Sequence, residues 1–138
     1  MAVPKIYENS TAEEQSSLDA MRLWITSIES LNQTVTVAGK LNLIRDQLNQ
    51  RLVTSSDSWK LAALGLLFGD ALYQTFEGRL RWVMVEDEQG LSPALRWMST
   101  DYLVFPISTV RSRVQAGEAL DIHALFTEYS DMFPFQKR

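Results

Sequence analysis

The 138-residue chain contains no cysteine and only one histidine. The missing cysteines exclude disulfides, thiolate metal ligands and a cysteine nucleophile. A Ser-His-Asp triad or a histidine-based metal site would depend on His123 alone, and Asp121 is too close in sequence to indicate such a triad. We therefore expect no catalytic residue, no metal ion and no cofactor.

Long apolar runs and an excess of basic residues are also missing. The first residues lack the basic and then apolar segments of a secretory signal, and no apolar run reaches the roughly 18 residues of a membrane span. We therefore expect a cytoplasmic protein that does not bind membranes. The net charge is −4 and the isoelectric point is about 5.0, which disfavours nucleic acid as a partner because phosphate binding requires a basic surface.

The glycines do not form a phosphate-binding loop, because Gly-Lys-Ser/Thr is absent and no strand leads directly into Gly-x-Gly-x-x-Gly. Gly65 and Gly69 instead lie one turn apart within a helical pattern. An interior glycine costs a helix about 1 kcal/mol relative to alanine. We expect close backbone contact at these two residues, either with the sheet or with the first helices.

The apolar pattern predicts one domain over residues 1–138, beginning with an extended lead-in at 1–10 that has little fixed structure. Thr11 and Glu14 have the spacing of a capping box. Behind them, an apolar stripe with helical spacing runs to Leu31, and a second one spans residues 37–53 after a break at 32–34. The segment 11–53 is therefore predicted to form a helical hairpin, although the β-branched residues 34–37 leave a short strand as an alternative.

Residues 57–131 predict a helix, a β-meander and two further helices. The pattern places a helix at 57–76, strands at 80–85, 91–98 and 102–105, a helix from Pro106 to Gly117, and a last helix that Asp121 caps. Pro93 cannot donate to a ladder and is expected at a sheet edge or a bulge. The predicted fold class is α+β, with the helical hairpin and third helix packed on a small antiparallel meander and helices at the C-terminus.

The order and spacing of several residues in this block resemble a bacterial family known as domain of unknown function 3806. The resemblance covers residues of about 60–131 and is carried by Gly65, Gly69, Asp70, Trp82, Pro106, Val110, Arg113, Gly117 and Glu118. It implies a small bacterial α+β domain. It implies no catalytic residues, because the family has no established activity.

Charged clusters offer little chemistry. The paired acids Glu13 and Glu14 are expected in the first turn of a helix, where they complement the helix dipole. The acids at 86–88 are expected in a solvated turn. Neither arrangement indicates a general acid and base in different environments. Arg79, Arg81 and Arg96 are predicted to form salt bridges with neighbouring acids on one sheet face.

The acidic bias is concentrated between Glu86 and Asp131, a segment that contains eight acidic residues and only three basic ones. Acids that share a face would steer a basic partner towards it. The candidate partner-binding residues are Glu86, Asp87, Glu88, Glu118, Asp121, Glu128 and Asp131.

These observations favour a non-enzymatic, protein-binding function. The most concrete hypothesis is an immunity protein that neutralises a toxin by covering the toxin's active site with an acidic surface. Similar small acidic proteins act as immunity proteins. The hypothesis rests on this association of size and charge and not on a motif match. One alternative is a small-molecule-binding protein or a hydrolase, with a pocket between the third helix and the sheet near Asp70, Arg81 and Arg96. Another is a homodimer formed through the N-terminal hairpin.

Overall fold

The computed structural model describes residues 5–29, 32–88 and 90–133. Its strands are β1 (Lys5–Tyr7), β2 (Leu80–Asp87), β3 (Gly90–Trp97) and β4 (Leu103–Val104). Its helices are α1 (Ala12–Ile28), α2 (Val37–Asn49), α3 (Ser58–Thr75), α4 (Pro106–Gln115) and α5 (Ile122–Met132). None of these helices is long and apolar enough to cross a membrane.

The N-terminal helices form where the sequence predicts them. Thr11 and Glu14 make the predicted capping box, in which the Glu14 amide donates to Thr11 Oγ1 and the Thr11 amide donates to Glu14 Oε1. The break between α1 and α2 contains a 3₁₀ turn at Gln33–Val35, preceded by Asn32 in the left-handed region. Residues 34–37 therefore form no strand, and Leu31 of the predicted stripe lies outside the described residues.

Helix α2 ends at Asn49, four residues before the predicted end. Arg51 has a φ of 56°, in the left-handed region that stops a helix, and Leu52 is exposed although the pattern placed it on the apolar stripe. Val53 is buried instead. The chain thus leaves the helix early and returns Val53 to the core.

Helix α3 is the centre of the fold. Every residue from Leu61 to Gly69 is buried, as expected for a helix that is apolar on all sides. Helices α1, α2, α4 and α5 and strand β2 all contact α3. One apolar core therefore connects the helical hairpin to the meander.

The four strands form an antiparallel sheet in the order β1-β2-β3-β4. Strand β1 was not predicted, and its register places Ile6 opposite Val85 at one edge of the sheet. Strand β4 pairs only with Leu95 and Arg96, so β3 is an edge where Pro93 lies. This confirms the expected position of Pro93, since an edge residue needs no N–H for the ladder.

Successive residues of β2 face opposite sides of the sheet. Leu80, Trp82 and Met84 face the helices, whereas Val83 and Val85 belong to a smaller apolar cluster on the other face. At the end of the sheet away from the β2–β3 turn, Phe133 stacks on the fully buried Trp97 with a centroid distance of 5.1 Å. Phe133 thus packs on the core after the end of α5, and the residues that follow it lie outside the described residues.

Candidate functional site

Gly65 and Gly69 allow two elements to approach α3 closely. A Cβ atom on Gly65 would lie 2.5 Å from Ile107 Cα and 3.0 Å from the Pro106 carbonyl oxygen. A Cβ atom on Gly69 would lie 2.4 Å from Cη2 of the Trp82 ring. The predicted close contact is therefore confirmed at the sheet for Gly69, while Gly65 contacts the start of α4, which the sequence did not indicate.

Directly after Gly69, three polar side chains form what we call the Asp70 cluster, which comprises Arg22, Asp70 and Trp82. Arg22 donates through Nε to Asp70 Oδ2 at 3.0 Å and through Nη2 to Asp70 Oδ1 at 2.9 Å. The Trp82 indole Nε1 donates to the same Oδ1 at 3.0 Å. These bonds to Asp70 raise the pKa of Arg22, against the opposite effect of its burial. The cluster joins α1, α3 and β2.

A small cavity of about 180 Å³ lies between Arg22, Lys40 and Asp70. Lys40 Nζ donates to Gln74 Oε1, and burial lowers the pKa of Lys40 while Asp70 and Glu29 oppose that effect. Because Arg22 and Lys40 already have hydrogen-bond acceptors within the fold, this cavity offers no uncommitted cation to a ligand. Its charged groups serve to hold α1, α2 and α3 together.

Arg81 and Arg96 are opposite each other on the sheet face that does not contact α3. Both bind Glu8: Arg81 Nη1 lies 2.9 Å from Oε2, and Arg96 Nη1 lies 3.0 Å from Oε1. The predicted salt bridges are thus confirmed for these two arginines. They do not converge with Asp70, because Asp70 contacts Trp82 on the other face of the same strand.

The acids of the hairpin are exposed at one end of the sheet. Glu86 and Asp87 end β2 and Glu88 follows in the turn to β3. Glu86 accepts a hydrogen bond from the Tyr7 hydroxyl at 3.1 Å and is opposite Lys5 in the ladder. We call Glu86, Asp87 and Glu88 the hairpin acids.

The other candidate acids lie along α5 and the segment before it. Asp121 caps α5 by accepting from the Ala124 amide at 3.1 Å, as predicted. Glu118 lies 3.5 Å from Arg113, and Glu128 and Asp131 are exposed. The end of α5 adjoins Tyr102, whose hydroxyl donates to the Met132 carbonyl. That end of α5 lies near Trp97, whereas the hairpin acids lie at the opposite end of the β2–β3 ladder. The length of the ladder separates them by about 25 Å, so the seven acids do not form one surface.

His123 contacts a neighbouring helix. Its Nε2 lies 2.9 Å from Asn42 Oδ1 and links α5 to α2, while Asp121 is committed to its cap. Within the described ranges, no group of three or more acidic or histidine side chains is arranged to hold a metal ion. His123 is thus half-buried between α5 and α2.

The structure also decides which tryptophans are accessible, a question that the sequence left open. Trp97 is fully buried, Trp24 and Trp82 are half-buried, and Trp59 is 45% exposed. Trp59 packs edge-on against Trp24 at a centroid distance of 6.0 Å. Lys60 Nζ lies 5.8 Å from the centre of the Trp24 ring. We call Trp24 and Trp59 the tryptophan pair.

A second cavity, of about 270 Å³, lies where α1, α3 and α4 meet the β2–β3 hairpin. Its buried apolar lining includes Met21, Ala62, Met84 and Ile107, and its polar lining consists of Glu14, Ser17, Ser92, Ser108 and Arg111. We call it the Arg111 pocket. It differs from the pocket of the alternative hypothesis, which was expected near Asp70, Arg81 and Arg96, because none of these three residues lines it. Sequence analysis missed it because its polar residues come from separate segments.

Residues 40–126 match the family model described as domain of unknown function (DUF3806). The chain belongs to this family. The match confirms the resemblance and begins earlier than expected, within α2. In this DUF3806 domain, Asp70, Trp82 and Arg111 lie inside the matched range, whereas Arg22 and the α1 side of the Arg111 pocket lie outside it.

The fold of this DUF3806 domain is similar to that of a crystal structure from Bacteroides thetaiotaomicron VPI-5482, solved at 1.50 Å resolution. The two share 15% sequence identity with a TM-score of 0.76, over 94% of this chain and 48% of the other. The chain thus spans about half the length of that protein, and the likeness concerns the fold alone. Among curated proteins, none matches the sequence.

Proposed function

We propose that this chain acts by binding another protein and catalyses no reaction. The observation that carries the proposal is the position of the hairpin acids, which are exposed at the end of a regular two-stranded ladder. A ladder that is paired up to Asp87 and Gly90 holds the ends of both strands in fixed positions. Such a turn presents negative charge to a basic partner at little cost in conformational entropy.

The most concrete form of the proposal is an immunity protein that neutralises a toxin by covering a basic active site. The acidic hairpin supports this form because a site that acts on phosphate esters is basic, and complementary charge accelerates association. The exposed Glu128 and Asp131 of α5 form a second candidate surface. Since the two surfaces are far apart, the partner is expected to use one of them and not both.

The tryptophan pair supports protein binding independently of charge. Large aromatic side chains that are only partly covered are frequent anchors of protein interfaces. Trp59 is the most exposed of the four tryptophans, and its ring packs edge-on against Trp24. The ring is thus available to fill a pocket on a partner.

The first experiment recovers the tagged full-length protein from its native cells and identifies by mass spectrometry what co-purifies. A stoichiometric basic protein that is toxic when expressed alone would support the immunity hypothesis. Recovery of a monomer without a protein partner would overturn the proposal.

The binding surface is then located with variants of equal net charge. Asp87→Lys/Glu88→Lys reverses two hairpin acids, and Glu77→Lys/Asp101→Lys reverses two exposed acids elsewhere. We expect the first variant to slow association about tenfold or more at low salt and the second to have little effect. If both bind the partner like the unmodified protein, Glu128→Lys/Asp131→Lys and Trp59→Ala identify whether α5 or the tryptophan pair makes the contact.

A further inference from the structure

The Arg111 pocket contains a half-buried arginine whose side chain has no partner among the described residues. Within residues 5–29, 32–88 and 90–133, the side chain of Arg111 makes no hydrogen bond or ion pair, although the residue is half-buried. Its guanidinium is therefore not committed to any acceptor within the described residues. An anionic group bound beside it would supply one.

The remaining polar lining favours the same kind of ligand. Ser17, Ser92 and Ser108 also line the cavity, and their hydroxyls make no hydrogen bond within the described part of the chain. Serine hydroxyls donate hydrogen bonds to anionic oxygens. Arginine presents two parallel N–H groups that match a carboxylate. The pocket therefore has several donors that the fold itself does not use.

The apolar lining limits the rest of the ligand. Met21, Ala62, Met84 and Ile107 are buried, and they come from α1, α3, β2 and α4. The volume of about 270 Å³ lies just below the range of about 300–1,000 Å³ that is typical of pockets for drug-sized ligands. This lining suits a short hydrocarbon chain, and the adaptable thioether side chains of two methionines suit a ligand of variable shape.

Glu14 is the one acid among the described lining residues, and its charge limits which anionic ligands the pocket can accept. Glu14 Oε1 accepts from the Thr11 amide at 2.7 Å in the capping box of α1. Its negative charge disfavours ligands with several anionic groups, and it tolerates an ammonium group near the carboxylate. A simple monocarboxylate and an apolar α-amino acid therefore share the required chemistry.

We propose that the Arg111 pocket binds a small monocarboxylate with a short apolar chain, with the carboxylate on Arg111 and the chain between Met21 and Met84. This inference does not depend on the proposed protein-binding function. The two can fail separately, because the hairpin acids are not among the lining residues of the pocket.

The test uses the full-length protein labelled with ¹³C at the methionine methyl groups, and hexanoate as the probe. Met21 and Met84 line the pocket, whereas Met98 and Met132 are exposed and do not line it. We expect saturable shifts of the Met21 and Met84 signals, with Met98 and Met132 unchanged. Equal shifts at all four methyl groups, or no shift at any, would overturn the proposal.

Variants of Arg111 test the charge contact. Arg111→Gln is expected to weaken hexanoate binding about tenfold or more, because a hydrogen-bonded ion pair is lost. Arg111→Lys retains the charge without the fork and is expected to bind with intermediate affinity. Arg113→Gln, on the same helix but paired with Glu118, is the matched control and should bind normally. An unchanged midpoint of urea unfolding establishes that each variant is folded.

Analogues of equal chain length test the chemistry of the ligand. Hexanol and hexylamine lack the carboxylate and are expected to bind at least tenfold more weakly than hexanoate. Norleucine adds an ammonium group, and tighter binding of norleucine than of hexanoate would identify an α-amino acid as the ligand type. Hexanol or hexylamine binding as tightly as hexanoate, or full affinity in Arg111→Gln, would show that the pocket recognises no carboxylate.

Discussion

The Asp70 cluster and the Arg111 pocket each place an arginine among α1, α3 and the sheet, but they differ in how the charge is satisfied. In the cluster, Arg22 and Asp70 form two hydrogen bonds, and Trp82 adds a third. In the pocket, Arg111 and three serines have no partner in the described residues. The Asp70 cluster therefore stabilises the fold, whereas the Arg111 pocket contains hydrogen-bond donors that no described residue uses.

The difference lies in the partners of each arginine and not in the presence of a cavity. Gly65 and Gly69 bring Pro106, Ile107 and Trp82 into contact with α3, and the cavity beside Asp70 is lined by Arg22 and Lys40, which both have acceptors. Around Arg111, residues of α1, α3, α4 and the hairpin line a cavity in which Arg111 has no acceptor among the described residues. The close contacts at Gly65 and Gly69 and the cavity at Ala62 thus lie along the same face of α3, because these residues are three or four positions apart.

The largest expected effect is that of Gly65→Ala. The new Cβ atom would meet the backbone of Ile107 at 2.5 Å, so α4 would have to shift. Overpacking costs about 1–3 kcal/mol, and a clash with backbone belongs at the upper end of that range, from which about 1 kcal/mol of helix propensity is regained. We expect the free energy of unfolding in urea to fall by about 2 kcal/mol.

Gly117→Ala is the control for this change, because nothing lies within 4 Å of its added Cβ and only its φ of 81° is unfavourable. It should cost about 1 kcal/mol. A smaller loss for Gly65→Ala than for Gly117→Ala would contradict the close contact between α3 and α4.

An intermediate effect is expected for Asp70→Asn. The substitution keeps one acceptor oxygen but removes the charge that Arg22 and Trp82 bind. Both charged side chains are partly exposed, at 37% for Arg22 and 20% for Asp70, so solvent reduces the loss. We expect urea unfolding to show a destabilisation of roughly 1–2 kcal/mol.

A double-mutant cycle with Arg22→Gln measures how much of that loss belongs to the ion pair. A coupling energy near zero would show that the Asp70 cluster is held by packing alone, and it would weaken the comparison with the Arg111 pocket.

The smallest effect is expected for Arg111→Leu. Because Arg111 has no partner within the described residues, its removal breaks no hydrogen bond, and leucine can pack on the apolar lining. We expect the free energy of unfolding without ligand to change by less than about 0.5 kcal/mol or to rise slightly. A loss as large as that of Asp70→Asn would mean that Arg111 has a structural role, and the two regions would no longer differ.

Sequence reasoning predicted the elements with local signals and missed those without them. The capping box at Thr11, the cap at Asp121 and the first turn of α4 at Pro106 all occur as expected. Strand β1 was missed because three residues are too short to show a period. The early end of α2 was missed because the apolar spacing continues to Leu52, while the chain itself turns at Arg51.

The candidate sites also differ in whether a local sequence signal predicted them. The acids at 86–88 were expected in a solvated turn and are exposed at the end of the β2–β3 ladder. The pairing of Arg22 with Asp70 joins residues 48 positions apart in the sequence, and the Arg111 pocket is assembled from α1, α3, α4 and both strands of the hairpin. No local pattern contains such contacts, since they depend on how the elements pack.

The sequence by itself determined the family, the α+β class and most helix boundaries, because periodicity and capping are properties of neighbouring residues. Only the tertiary structure decided that Trp59 is the most exposed tryptophan, that the acids fall into separate groups, and that Arg111 has no partner among the described residues. Those outcomes depend on which distant surfaces cover one another. Burial and charge pairing are set by that packing, so an arginine can have an acceptor in one place and lack one in another.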